Sequence, residues 1–422
     1  MLAVSLWAGA LVLLWVVGLA LDRSGAVVTF GSLPPLLGHA AVRASVGTLL
    51  AVVVAGAVVW RGHMRARTMR WGPLLASGWA VSAVFAVALA TTRGWSALSA
   101  PLRGEHDYLV VVPTAAAAPG DFLRTFTDRA LEYPIHVRGH PPGFVLLATG
   151  MDRIGLGGAG WATALVVMVG SSAVVAVAVT LRALAGPAGE DVARRAMPAA
   201  VLAPAVLWIA TSADALYAGV LAWGVALLAL ASTRRHWWPW ALAAGLVLGA
   251  CPFLSYGLLH MAVVALAPLV VTRRWRPTAL AAAVVLGCVA AWAVAGFWIG
   301  DGIAVTHLAS SHGRSADRPY LYFALADLAV LGLLVGPAGV GGLAGLRRLP
   351  RPVVVLVAFA LGTAVLGAFS GVERGEVERI WLPLACWVAP AAATLTGPHQ
   401  RRWLVAQAAT TVALAVLLDS PW

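Results

Sequence analysis

Lysine is missing altogether from this chain of 422 residues, so all 29 of its basic residues are arginine. Charge of either sign is scarce: charged residues make up 11% of the chain, against roughly 25% in a soluble globular domain. That shortage excludes a water-soluble fold, because a chain that is 61% hydrophobic has too little polar surface to cover itself. Acids number only 17, and the formal net charge is +12. A basic balance in so apolar a chain points to a membrane surface and away from nucleic acid. Cysteine is equally sparse. Cys251, Cys288 and Cys386 lie far apart inside apolar runs, which excludes a disulfide framework and a C-x-x-C metal or redox site. No internal repeat marks the chain as a solenoid or array.

What the chain does have is a succession of apolar runs. Thirteen are read as membrane-crossing helices, at about 3–21, 44–60, 73–92, 159–181, 196–211, 215–231, 238–252, 256–271, 278–299, 320–338, 352–370, 380–396 and 403–418. The run 196–231 is divided at Ser212-Ala213-Asp214, because one helix of that length would overshoot the bilayer; an Asp buried in mid-membrane is the competing reading. The segment 143–156 is too short to cross and is read as a helix lying at the interface. The first apolar run is longer than a signal-peptide core and lacks a basic segment before it, so it is expected to remain as the first helix. The expected fold is therefore all-α, a polytopic membrane bundle with an outer-face loop and an interfacial helix.

Arginine placement orients that bundle. With the amino terminus in the cytoplasm, 17 of the 29 arginines fall in short inner loops, among them 61–70, 182–195, 234–235 and 273–276. Fourteen of the 17 acids then fall on the outer face, nine of them crowded into 101–153 and 371–379 with Asp301 and Asp317 between, and only Glu190, Asp191 and Asp327 are not on that face. Carboxylate chemistry is thus expected at the outside of a plasma membrane.

The longest polar stretch, 93–142, carries Glu105-His106-Asp107, then Gly120-Asp121-Phe122, then His136-Val137-Arg138-Gly139-His140-Pro141-Pro142. A carboxylate can take a proton from an attacking hydroxyl, while Arg and His neutralise a departing phosphate. The acid-x-acid pair Glu105 and Asp107 also has the form of a divalent-metal site. Asp214 suits either a site or a helix cap. Tyr256 and His260 sit near the outer end of one span and are expected to line a cavity, since an ionisable group in a span is functional by default. The second outer cluster, Glu373-Arg374-Gly375-Glu376-Val377-Glu378-Arg379, offers Glu378 and Arg379 for substrate binding. His307 and His312, with Asp301, Arg314 and Asp317, have a spacing that fits no helical ligand pair and are read as a polar acceptor-binding loop.

The order His140-Pro-Pro-Gly-Phe-Val-Leu-Leu, Asp152-Arg-Ile-Gly-Leu-Gly, a span from Trp161 closed by Arg182, and Pro204-Ala-Val-Leu-Trp-Ile-Ala-Thr-Ser-Ala-Asp214 resembles the C-type (GT-C) superfamily of membrane glycosyltransferases. The nearest likeness is to the protein O-mannosyltransferases and their lipid A aminoarabinose transferase branch, over residues 73–271. The resemblance implies a polyprenyl-phosphate-linked sugar donor, an envelope glycan, lipid or protein acceptor, and a catalytic carboxylate at Glu105 or Asp107. It also matches Asp121, His140 and Asp214 to positions of the family's pattern, while Arg138 and His140, just before the interfacial helix, are expected from their position to meet the donor phosphate. The chain divides accordingly into two extra helices and a basic loop (1–72), a catalytic module (73–271) and carboxy-terminal helices with outer loops 300–318 and 371–379 (272–422). The acid pair departs from the family's usual Asp-Glu, and the large soluble carboxy-terminal domain of the family is not expected here. A transporter or flippase of a lipid-linked precursor, or a non-catalytic membrane subunit, are the alternatives; a transporter would set its charges nearer mid-membrane and show repeated halves.

Overall fold

The computed structural model describes residues 1–28, 31–311, 313–395 and 397–421, with the side chains of 314, 315 and 398 outside the description. The chain is built almost wholly of helices, and the expected all-α membrane bundle is what forms. In order these are α1 (Leu2–Arg23), α2 (Val46–Thr68, with a π turn at Val58–Gly62) and α3 (Trp71–Ala90). After a long excursion come α4 (Gly143–Arg153), α5 (Ala159–Ser171), α6 (Ala173–Val201) and α7 (Asp214–Thr233). Next are α8 (Trp238–Leu254), α9 (Gly257–Thr272), α10 (Trp275–Val294) and α11 (Ile299–Ser311). The last four are α12 (Tyr320–Leu343), α13 (Arg351–Ser370), α14 (Leu382–Thr394) and α15 (Gln400–Leu417).

Among the described residues eight helices are long and apolar enough to cross a membrane, and α8, α9 and α14 are shorter apolar helices. Thirteen separate spans are therefore not reached by length and composition. The main departure lies at 182–211. The expected loop 182–195 is helical on both sides of a break at Gly186, where φ is +59° and ψ −137°, just before Pro187. Arginine and acid pair there within the helix: Arg194 with Glu190 at 2.6 Å and Arg195 with Asp191 at 2.7 Å, both at i, i+4. The expected span 196–211 is instead the end of α6 followed by a 3-10 turn at Pro204–Trp208.

Residues that are apolar on every side belong in the middle of such a bundle. Accordingly, among the eight long helices α7 and α12 are the most buried, whereas α1 and α10 show most of their apolar surface outward. Close packing of α7 on α5 depends on glycine: a Cβ at Gly219 would stand 2.3 Å from the Val169 carbonyl oxygen. A second break lies in α12 at Gly336, before Pro337. Gln407 of α15 repairs it, accepting from the Ala338 N–H at 2.9 Å and donating to the carbonyls of Val335 at 2.9 Å and Ala199 at 3.2 Å. Without water in a bilayer core, freed backbone groups need such partners.

At 11 residues α4 is about 16 Å long, too short to cross a bilayer. It turns Phe144, Val145 and Ala148 inward, and Gly143 lets its start touch the end of α8, where a Cβ would be 2.1 Å from the Phe253 carbonyl oxygen. The excursion 93–142 folds as 3-10 turns and short helices that join the main core, with Phe126 stacked on Tyr133 at 5.5 Å and edge-on to Phe297 at 5.8 Å. Finally His39–Ala40 pairs antiparallel with Leu418–Asp419, which brings the carboxy terminus beside the excursion.

Candidate active site

A cleft of about 340 Å³ opens where four segments meet: the excursion, the start of α7, the loop before α14, and the carboxy terminus. Its walls include Asp107, Tyr108, His136, Thr211, Asp214 and Arg379.

Asp107 is buried because it starts the turn Tyr108–Val111, accepting from the Tyr108 N–H at 2.7 Å. Its other oxygen lies 3.1 Å from Nδ1 of His136. This Asp–His contact orients an imidazole and leaves Nε2 as its remaining polar atom. Tyr108 is packed against His136, His140 and Phe144, with the Phe144 ring at 4.8 Å. Burial pushes its phenol well above the usual range, so it stays a neutral hydroxyl. His140 turns Nδ1 to the His136 carbonyl at 2.9 Å, and loss of water around the ring pushes its pKa down to about 4. It is a neutral imidazole at ordinary pH.

Across the cleft, Asp214 occupies the first turn of α7, where a carboxylate meets the positive end of the helix. It does not act as a side-chain cap. Ser212 takes the Asp214 N–H at 3.1 Å and donates its hydroxyl to Oδ2 at 2.5 Å. The same Oδ2 accepts from Arg379 at 2.8 Å, and Arg379 reaches Glu376 with its other terminal nitrogen at 3.0 Å. Glu376 is also bound by Arg318 at 3.2 Å. It adopts a left-handed backbone with φ +63°, a rare state for a residue with a side chain. Gly375 before it has φ +85°, and a Cβ there would meet Phe323 at 2.7 Å. The tight loop thus holds one carboxylate between its own Arg379 and Arg318, which precedes α12. They hold Glu376 below the usual carboxylate range despite its burial, while Arg379, although buried, is raised by Asp214 and Glu376.

The residues expected from sequence divide clearly. Asp107, Asp214 and Arg379 meet in the cleft, and His140 stands behind it against Tyr108 and Tyr217, with ring centroids 5.5 and 6.2 Å away. Glu105 does not join them: its side chain is 88% exposed, and His106, the next residue in sequence, lies 3.8 Å from it. The pair Glu105 and Asp107 therefore does not converge on one ion, and no group of three or more His, Cys, Asp or Glu fit to hold a metal occurs among the described residues. Asp121 pairs with Arg124 at 2.6 Å on an exposed turn. Arg138 offers its carbonyl to Thr306 at 3.1 Å and is not part of the cleft wall. Tyr256 packs over Gly302. His260 sets Nε2 3.8 Å from Glu373, whose other oxygen accepts from Trp381 at 2.5 Å. Glu378 is 1% exposed. Burial pushes it up to about 7. His312 lies outside the described residues, and the expected loop at 300–318 is mostly α11.

Tyr108 and Arg318 were not singled out from the sequence, and His136 and Glu376 stood in the two polar runs without a role of their own. The spacing of His136 and His140, one helical turn apart, is the signal that would have given His136 its place.

No family model and no curated protein matches the chain. Among solved structures the chain is similar to the crystal structure of ArnT from Cupriavidus metallidurans in the apo state, at 19% identity and a TM-score of 0.46. That similarity covers 75% of this chain and 59% of the other, so the chain spans less than two thirds of that protein's length.

Proposed function

We propose that this protein is an integral-membrane glycosyltransferase that moves a sugar from a polyprenyl phosphate to an envelope acceptor at the outer face. One observation carries the reading: Arg379, a buried guanidinium, shares a cleft with Asp107, a buried carboxylate held by a histidine. Inverting transfer needs both groups. An acceptor O–H attacks the anomeric carbon, a new C–O bond forms as the bond to the phosphate oxygen breaks, and the proton passes to Asp107. The electron pair leaves with the phosphate, whose charge is met by Arg379. His136 keeps Asp107 in place. The motif order around His140-Pro141-Pro142 and Asp214 supports the same reading by resemblance. The acid pair gives no support to a metal, and no step here uses one.

The test is transfer of labelled sugar from synthetic polyprenyl-phosphate donors by purified protein in lipid vesicles. Product of inverted anomeric configuration is expected, and its loss in Asp107→Asn. Absence of transfer from every such donor, with the vesicles intact and the protein folded, overturns the proposal.

A further inference from the structure

A groove on the opposite, arginine-rich face of the molecule has no part in the cleft chemistry. It runs between α2 and α3 over a floor made by Met197, Pro198 and Val201 of α6, and holds about 1790 Å³ of empty space. Its walls are apolar, with Val54 and Ala57 facing Val81 and Val84. Along α2 the groove extends from Val53 to Ala66, and the thirteen residues from Val53 to Arg65 span about 18 Å. That is roughly half of a hydrocarbon core of about 30 Å, the depth of one leaflet.

Charge is confined to one end. Arg61 and Arg65, one turn apart on α2, line the groove there and are exposed. Neither forms an ion pair among the described residues. The acids near that face are already engaged: Glu190 with Arg182 and Arg194, Asp191 with Arg195. Arg401 adds a third positive charge at the rim, stacked over Trp60 at 3.9 Å. Any negative charge to match must therefore come with an occupant whose remainder is apolar and one leaflet deep.

We propose that this groove binds an anionic glycerophospholipid of the leaflet on the arginine-rich face, with its phosphate between Arg61 and Arg65 and an acyl chain along α2 and α3. A polyprenyl phosphate offers the same headgroup charge, but its tail is much longer than a one-leaflet groove. The proposal is independent of the transfer reaction.

The full chain, equilibrated in nanodiscs holding equal amounts of phosphatidylglycerol, phosphatidylcholine and a polyprenyl phosphate, is extracted, and its retained lipids are identified by native mass spectrometry. Phosphatidylglycerol is expected to exceed phosphatidylcholine by about tenfold or more, given two arginines near a phosphate. Arg61→Ala with Arg65→Ala removes that preference. Gly56→Leu leaves both arginines and meets no atom within 4 Å at its Cβ, so it fills the groove without a clash and lowers the total lipid retained. Equal retention of the two phospholipids by the native chain overturns the proposal. So does an undiminished preference in the double variant, or polyprenyl phosphate displacing phosphatidylglycerol in a manner that depends on Arg61 and Arg65.

Discussion

Arg379 donates to Asp214 at 2.8 Å, tying the loop before α14 to the first turn of a helix that begins 165 residues earlier. Both side chains are more than nine-tenths buried. Each is the other's main compensation for lost water.

Removing one partner strands the other charge. Asp214→Asn and Arg379→Gln should each lower stability by about 3–5 kcal/mol, the cost of breaking a buried pair, whereas the double variant should cost clearly less than the sum. Unfolding in detergent measures this. Strict additivity would mean that the two groups do not stabilise each other. Arg379→Lys keeps the charge but loses the planar fork that spans Asp214 and Glu376, so transfer should fall by about tenfold or more.

Asp107 and Glu105 separate cleanly. Asp107→Asn should lower the transfer rate by about 10² to 10⁴ while donor binding is retained, the scale for loss of a general base. Glu105→Gln should leave rate and binding near normal, because that side chain is 88% exposed and lies outside the cleft. Steady-state kinetics with varied donor decides. A Glu105→Gln defect equal to that of Asp107→Asn would move the base to the outer acid.

Glu378 makes stability depend on pH in a direction unusual for an acid. Its folded pKa, about 7, lies above the ordinary value of 4.5, so between these pH values the folded state holds a proton that the unfolded state has released. The contribution is present below about pH 4.5, falls as pH rises, and levels off above about 7. Glu378→Gln should flatten the slope and raise stability at pH 8, by about 3 kcal/mol at most. Melting curves at pH 5 and pH 8 check this; a variant with the native slope would assign the dependence to another group.

Orientation is open to a direct measurement. Single cysteines placed in 61–70 and 273–276 should react with an impermeant thiol reagent only after the membrane is opened, and those in 93–142 or 371–376 should react in intact cells. The reverse pattern would put the cleft on the inner side.

Much of the bundle was legible because apolar runs of membrane length carry a strong signal, and the short helix α4 was legible from the length of its apolar run together with Asp152 and Arg153. Helix breaks were not. Gly186-Pro187 and Gly336-Pro337 sit inside continuous apolar or alanine-rich stretches, and composition does not tell a broken helix from two helices and a loop. The arginines at 182–195 pointed to a loop, yet they pair with Glu190 and Asp191 along a helix face. At the site, Asp107, Asp214 and Arg379 were legible as separate candidates. Their meeting was not, since it depends on how four distant segments pack. The prominence of Glu105 beside Asp107 misled for a simple reason: a 3-10 turn buries one side chain and leaves the other in solvent.

The amide of Gln407 does more than close a gap. It binds backbone groups on both sides of the α12 break and a carbonyl on α6, so three helices share one side chain in a place without water. Sliding α15 past α12 by one turn, about 5.4 Å, would rupture all three bonds together. The interior is thereby locked in register and behaves as a fixed frame. Under the proposed transfer, opening for the donor is expected of the excursion 93–142 and the segment around α11, which do not share that side chain.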